Sequence, residues 1–221
     1  MTERNAKLLL NAPWKIVLQN ARGIITENSN EKLGILENYV KTDKIILMNI
    51  TETWLNDTIT EEANIDGYNI HRGDRKGKKN GGTAIYLNDK LEAEEICQLS
   101  YENCEMIAIS IPDMQTINIV LYRPPKTELK VFDVILKKVE EVLRNLPKPD
   151  PTIILSGDLN FPFVKWNRQP EGGCDWNYKA NTNATRNEKV QFEKLMKICK
   201  KIVVKWRNHG PDILWFIYWF S

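Results

Sequence analysis

"TIILSGDLNFP", Thr152 to Pro162, decides how the rest of the chain is read. An apolar run of strand length meets Gly157, then a carboxylate at Asp158, with an amide two positions further on at Asn160. Runs of this kind, bounded by turn residues, read as buried strands. Two readings of its polar end stand side by side. Asp and Asn after a glycine commonly form Asx-type turns, in which the side chain bonds backbone two residues on. If the chain instead stays extended, residues i and i+2 point the same way, and one substrate group meets both Asp158 and Asn160.

The same shape recurs along the chain. "WKIVLQN" (14–20), "KIILMNI" (44–50), "GTAIYL" (82–87), "EMIAISI" (105–111) and "TINIVLY" (116–122) are short Ile- and Val-rich runs with polar or Gly/Pro borders. Between them lie helical patterns at roughly 30–41, 129–146 and 186–200. Val131, Ile135, Val139 and Val142 share one face of the second, and "LPKPDP" ends it. The short "PDMQ" between the fourth and fifth runs predicts an antiparallel hairpin. The expected class is α/β, with two mixed β-sheets packed together and helices outside.

A chain of 221 residues, 42% hydrophobic, suits one core and one domain. Its net charge of +2 and pI near 8.2 permit a polyanionic partner without implying one. Cys97, Cys104, Cys174 and Cys199 lack C-x-x-C spacing, so reduced thiols are expected and zinc is not. No leader-like segment opens the sequence, and "ILWFIYWF" (213–220) is too short to span a bilayer, which predicts an intracellular protein with no membrane partner. Nothing in the sequence chooses between nucleus and cytoplasm or indicates an obligate protein partner.

Four strand candidates finish in polar residues that a core strand does not favour: Asn20, Glu52, Tyr122 and Asp158. Singly, each has an ordinary structural explanation, as a solvated end, a half-buried phenol before "RPP", or a turn. Together they place two carboxylates, an amide and a phenol around one cleft, the usual address for a site in a layered α/β protein. Such a set suits metal-assisted phosphate ester hydrolysis. Hard oxygens from Glu52 and Asn20 suit Mg²⁺, Asp158 can orient and deprotonate water, and amide and phenol donors can hold phosphate oxygens. The two histidines, His71 and His209, have no evident triad, so nucleophilic Ser or Cys chemistry lacks comparable support.

At "LQNARGI" (18–24), "NITETWL" (49–55), "HRGDRKGKKNGGTAIYL" (71–87), "VLYRPP" (120–125) and "ILSGDLNFPFVKW" (154–166), the chain resembles the endonuclease/exonuclease/phosphatase superfamily. More narrowly, it looks like the endonuclease domain of LINE-type (non-LTR) retrotransposons, with motifs in family order from Trp14 to about Cys199. The resemblance implies a four-layer α/β/β/α sandwich like that of deoxyribonuclease. It implies Glu52 as metal ligand with Asn20 near metal and phosphate, Tyr122 as a donor to the scissile phosphate, and Asp158 as the group that aligns or deprotonates water. Asn160 would hold the phosphate or the loop. The family uses Mg²⁺, with Mn²⁺ as a substitute, and cuts DNA to leave a 3′-hydroxyl. Arg72, Arg75, Lys76, Lys78 and Lys79, in a Gly-rich loop, would contact DNA phosphates, the alternative being a solvated hairpin loop. Trp166 would either stack on a base or pack in the core.

The tail departs from the family. Residues 1–13 are expected as a tail, 14–208 as the domain, and 209–221 as an atypical aromatic tail without the family's Asp-bearing strand and terminal Ser-Asp-His. Trp215 aligns where a carboxylate is expected, and His209 and Asp212 occur in the wrong order to replace the motif. The expectation is a shortened retroelement reading frame that lacks its last strand or strands. Each missing donor would lower the rate on the order of 100- to 1000-fold. A catalytically inactive remnant that binds nucleic acid, and a small-molecule phosphoesterase, remain as alternatives.

Overall fold

The computed structural model describes residues 15–25, 31–56, 58, 63–77, 79–149, 151–167, 177–180 and 183–207, with only the backbone of 164–167, 177–180 and 201–207. The tails expected at 1–13 and 209–221, His209, Lys78 and the side chain of Trp166 lie outside these residues.

One sheet has the order β1-β2-β4-β3, formed by Lys15–Asn20, Ile45–Thr51, Thr83–Asn88 and Tyr68–Gly73. The other has the order β5-β6-β7-β8, formed by Glu94–Tyr101, Cys104–Ile111, Thr116–Tyr122 and Thr152–Asp158. Both are mixed: β1 runs parallel to β2 and β7 parallel to β8, and the other pairs are antiparallel. A ribbon of β9 (Val164–Asn167) and β10 (Asn177–Ala180) stands apart from the sheets. Helix α1 spans Glu31–Thr42, α2 spans Leu129–Arg144 and α3 spans Arg186–Arg207.

Period-2 alternation divides the buried side chains into three layers. Ile16, Leu47, Ile85, Ile107, Val120 and Ile154 fill the space between the sheets. Met48, Ile50 and Tyr86 face α1 through Leu33, Leu36 and Val40. Ile119, Leu121, Ile153 and Leu155 face α2 and α3 through Phe132, Ile135, Phe192 and Leu195. The result is the α/β/β/α sandwich. Each helix buries one stripe, as α2 shows with Val131, Ile135, Val139 and Val142.

The six expected strands and three helices form, and the "PDMQ" hairpin is β6–β7, turned by a 3₁₀ segment at Pro112–Met114. β3 and β5 were not anticipated because "YNIHRG" and "EEICQLSY" carry no apolar run of strand length. Along β5 only Cys97 is buried, so the period-2 apolar signal is absent from "EEICQLSY".

Gly157 explains how β8 closes on β7. A Cβ there would stand 2.0 Å from the Leu121 carbonyl oxygen, and its φ of +155° lies outside the range side-chain-bearing residues favour. Gly157→Ala is therefore expected to destabilise the fold at the upper end of about 1–3 kcal/mol, read as a lower denaturation midpoint in urea at unchanged slope.

Candidate active site

Parallel pairing brings the polar strand ends to one rim. In the second sheet Tyr122 and Asp158 are in register, and in the first Asn20 is in register with Thr51, the residue before Glu52. Because the inner-face columns run Ile16–Leu18–Asn20 and Ile154–Ser156–Asp158, alternation delivers both polar ends into the space between the sheets.

The four side chains meet there. Asn20 Nδ2 donates to Asp158 Oδ2 at 2.7 Å and to Glu52 Oε1 at 3.3 Å. Tyr122 Oη donates to the same Glu52 oxygen at 2.9 Å. Asn20 Oδ1 accepts the Arg22 amide at 3.1 Å, which fixes the orientation of its carboxamide. Burial raises the Asp158 pKa above 3.8 despite the hydrogen bonds from Asn20 and Asn160, making it a stronger base than an exposed aspartate. Burial, together with donation to Glu52, raises that of the Tyr122 phenol and keeps it a donor.

The segment carrying Glu52 is bent to this purpose. Glu52 and Trp54 adopt φ of +54° and +57°, a conformation that costs about 1–3 kcal/mol per residue and persists where the surroundings impose it. Backbone bonds impose it here: Gly23 N–H to Glu52 O at 2.8 Å, Ile24 N–H to Thr53 O at 2.9 Å, and Trp54 N–H to Gly81 O at 2.9 Å. The left-handed turn takes Glu52 off the alternation of β2 and aims its carboxylate at Asn20 and Tyr122.

Asn160 is placed differently from the extended i, i+2 expectation. β8 ends at Asp158, Asn160 has φ of +46°, and its amide N–H bonds Asp158 Oδ1 at 3.2 Å, an Asx turn. Its side chain donates to the Arg123 carbonyl at 3.0 Å, lacing the two loops together. Asp158 thus makes the turn with one oxygen and meets Asn20 with the other.

The basic loop also divides. Arg75 turns inward, bonding Glu105 Oε1 at 2.6 Å and the Asn103 carbonyl at 2.6 Å, with its guanidinium 5.6 Å from the Tyr122 ring centre. Burial pulls the Arg75 pKa down, and the Glu105 carboxylate more than offsets that. Gly81 makes room: a Cβ there would lie 2.2 Å from the guanidinium carbon. Arg72 pairs with Asp74 and donates to the Asn56 carbonyl at 2.8 Å. Lys76 and Lys79 are exposed, as is Arg22 beside Asn20.

Behind the site, Asn49, Asn118 and Ser156 form a buried polar set between the sheets. Asn49 Nδ2 bonds Ser156 Oγ at 2.8 Å, and Asn118 Nδ2 bonds Asn49 Oδ1 at 2.8 Å. These residues, Glu105, Arg123 and Gln191 were not anticipated from sequence. The available signal was a polar residue inside an otherwise apolar strand, at "LMNI", "TINI" and "ILSG".

Among the described residues no group of three or more His, Cys, Asp or Glu gathers to hold a metal ion. Mg²⁺ does not require one. It binds through one or two carboxylates and keeps several waters, and the Glu52 carboxylate fits that demand. Cys97, Cys104 and Cys199 are buried free thiols, and no described helix is long and apolar enough to cross a membrane.

No protein-family model and no curated protein matches the sequence. Solved structures do match in fold. The endonuclease domain of TRAS1, a telomere-specific non-LTR retrotransposon, aligns with TM-score 0.52 at 16% identity, covering 84% of this chain and 71% of that one. TDP2 from C. elegans aligns with TM-score 0.49 at 17% identity over 68% of this chain, which spans about half (52%) of its length. An endonuclease/exonuclease/phosphatase family protein from Bacteroides thetaiotaomicron aligns with TM-score 0.46 at 15% identity, covering 66% and 61%. Of these three the first alone exceeds 0.5, and at such identities the likeness is one of architecture. The chain shares its α/β/β/α fold with the TRAS1 endonuclease domain.

Proposed function

We propose that the chain is a Mg²⁺-dependent phosphodiesterase of DNA-endonuclease type, cutting a strand to leave a 3′-hydroxyl. The observation that carries this reading is the convergence of Asn20, Glu52, Tyr122 and Asp158, from four strand ends of two sheets, in one chain of hydrogen bonds that runs Asp158–Asn20–Glu52–Tyr122. The fold shared with a retrotransposon endonuclease domain supports it.

In this reading Asp158, fixed by the Asn160 amide, takes a proton from water as the water oxygen bonds phosphorus and the bond from phosphorus to the 3′ oxygen breaks. The departing oxygen takes a proton from bulk water and leaves as the 3′-hydroxyl. Tyr122 and the Asn20 amide, now turned toward carboxylates, are the donors available to the phosphate oxygens. Glu52 would hold Mg²⁺, or Mn²⁺ in its place, and Asn20 would join it by turning its carboxamide, since its Nδ2 now faces the carboxylates and its Oδ1 accepts the Arg22 amide. The ion supplies Lewis-acid stabilisation of the phosphate charge. Exposed Arg22, Lys76 and Lys79 would contact backbone phosphates, while Arg75, held by Glu105, would not.

The test is incubation of purified protein with supercoiled plasmid. Nicked circles are expected with Mg²⁺ and not with EDTA, and their ends should prime extension by a DNA polymerase. Mg²⁺-dependent release of phosphate from small phosphomonoesters without nicking would point to the phosphoesterase alternative. Salt-sensitive DNA binding without nicking would point to an inactive remnant.

A further inference from the structure

Arg123 is wholly buried, yet among the described residues it has no carboxylate partner. Its Nε donates to Gln191 Oε1 of α3 at 2.8 Å, and its Nη1 donates to the carbonyls of Leu159 at 2.9 Å and Asn160 at 3.1 Å. The guanidinium lies 4.2 Å from the Phe161 ring centre and 5.6 Å from that of Phe132, and Nη2 is buried without a partner. Burial pulls its pKa down to about 10. A buried cation facing a neutral amide is costly, and an apolar side chain of similar volume would serve stability at least as well.

What the guanidinium provides is geometry. Its Nη1 grips two successive carbonyls of the turn that carries Asp158 and left-handed Asn160, while its Nε, held in the same rigid plane, is fixed by Gln191. The backbone repeats the grip: Arg123 N–H donates to Asp158 O at 2.9 Å, and Asn160 Nδ2 returns a bond to Arg123 O. Arg123 also directly follows Tyr122. Gln191 anchors the other end, since its Nε2 donates to the Thr127 carbonyl at 2.8 Å.

We infer that Arg123 and Gln191 are positioning residues through which helix α3 sets the placement of the Asp158–Asn160 turn relative to Tyr122. For catalysis this rests on the reading of Asp158 as the water-orienting group, but the mechanical coupling does not. The chemistry tolerates little displacement: about 1 Å of misplacement can cost on the order of 100-fold in rate.

The test uses the full chain carrying Gln191→Leu, Gln191→Glu or Arg123→Lys, with amide hydrogen exchange measured without metal. In Gln191→Leu and Arg123→Lys the amides of Arg123 and Asn160 are expected to exchange on the order of tenfold faster, while those of β2 stay unchanged. Gln191→Glu keeps the acceptor for Nε but loses the donor to the Thr127 carbonyl, and protection between that of wild type and Gln191→Leu is expected. Uniform acceleration, or none, overturns the inference. Where wild type nicks DNA, Gln191→Leu should lower kcat tenfold or more at unchanged DNA affinity, and full activity would likewise contradict it. A wild type that does not nick defeats the functional reading, while the exchange contrast still decides the coupling.

Discussion

Asp158→Asn is expected to lower plasmid nicking by about 100- to 10,000-fold, the range a positioned general base contributes, while leaving a folded protein. The isosteric amide keeps an acceptor for the Asn160 N–H, so the turn survives, but it cannot take a proton from water. Stability gives a second, independent readout. The folded-state pKa of Asp158 lies above 3.8, chiefly because the group is desolvated. A raised carboxylate pKa contributes stability that is fully present below the unfolded value and is lost as pH rises through the folded value. The asparagine does not titrate. Hence the melting temperature of Asp158→Asn, measured against wild type in EDTA, should move in favour of the variant from about pH 4 to pH 7. A difference that stays flat with pH would mean that Asp158 is not strained by burial.

Glu105→Ala is expected to cost about 3–5 kcal/mol, lowering Tm by roughly 6–20 °C for a domain of this size. Glu105 is fully buried, bonds Arg75 at 2.6 Å and accepts the Gly82 amide at 3.2 Å. Removing it leaves the Arg75 cation enclosed without a counter-charge, beside Tyr122. The double change Arg75→Met with Glu105→Leu removes both charges and should cost far less than Glu105→Ala, since breaking a buried pair is worse than replacing it. If the single and double changes destabilise equally, Arg75 is not held by Glu105 in the way its distances indicate.

Most of the architecture was legible because buried strands carry unbroken apolar runs and amphipathic helices carry strong periodic signals. β2, β7 and β8 are buried throughout almost their whole length, so "IILMNIT", "TINIVLY" and "TIILSGD" announce themselves. β3 and β5 were silent because most of their residues are polar and exposed or half-buried, leaving no apolar run. The candidate site was legible at Asn20, Glu52, Tyr122 and Asp158, each a polar residue ending an apolar run. Parallel register explains why those ends coincide. Its support was not legible. The inward turn of Arg75 depends on Glu105, which sits 30 positions away, and a loop of five cations gives no sign of which one the fold has engaged. Arg123 lay within a motif that drew attention to Tyr122, and its partner Gln191 sits on a helix whose sequence marks only the apolar stripe. The Asp158–Asn160 pair took the turn rather than the extended reading, with one carboxylate oxygen closing the turn and the other accepting from Asn20.

The central claim is that Glu52, reached by both Asn20 and Tyr122, lies in one hydrolytic site with Asp158. The direct measurement is the rate of plasmid nicking by wild type and by Glu52→Ala at equal protein and saturating Mg²⁺. The account predicts nicking by wild type and a loss of at least about 100-fold in the variant, with DNA affinity and melting temperature little changed. Equal nicking by both proteins would contradict it.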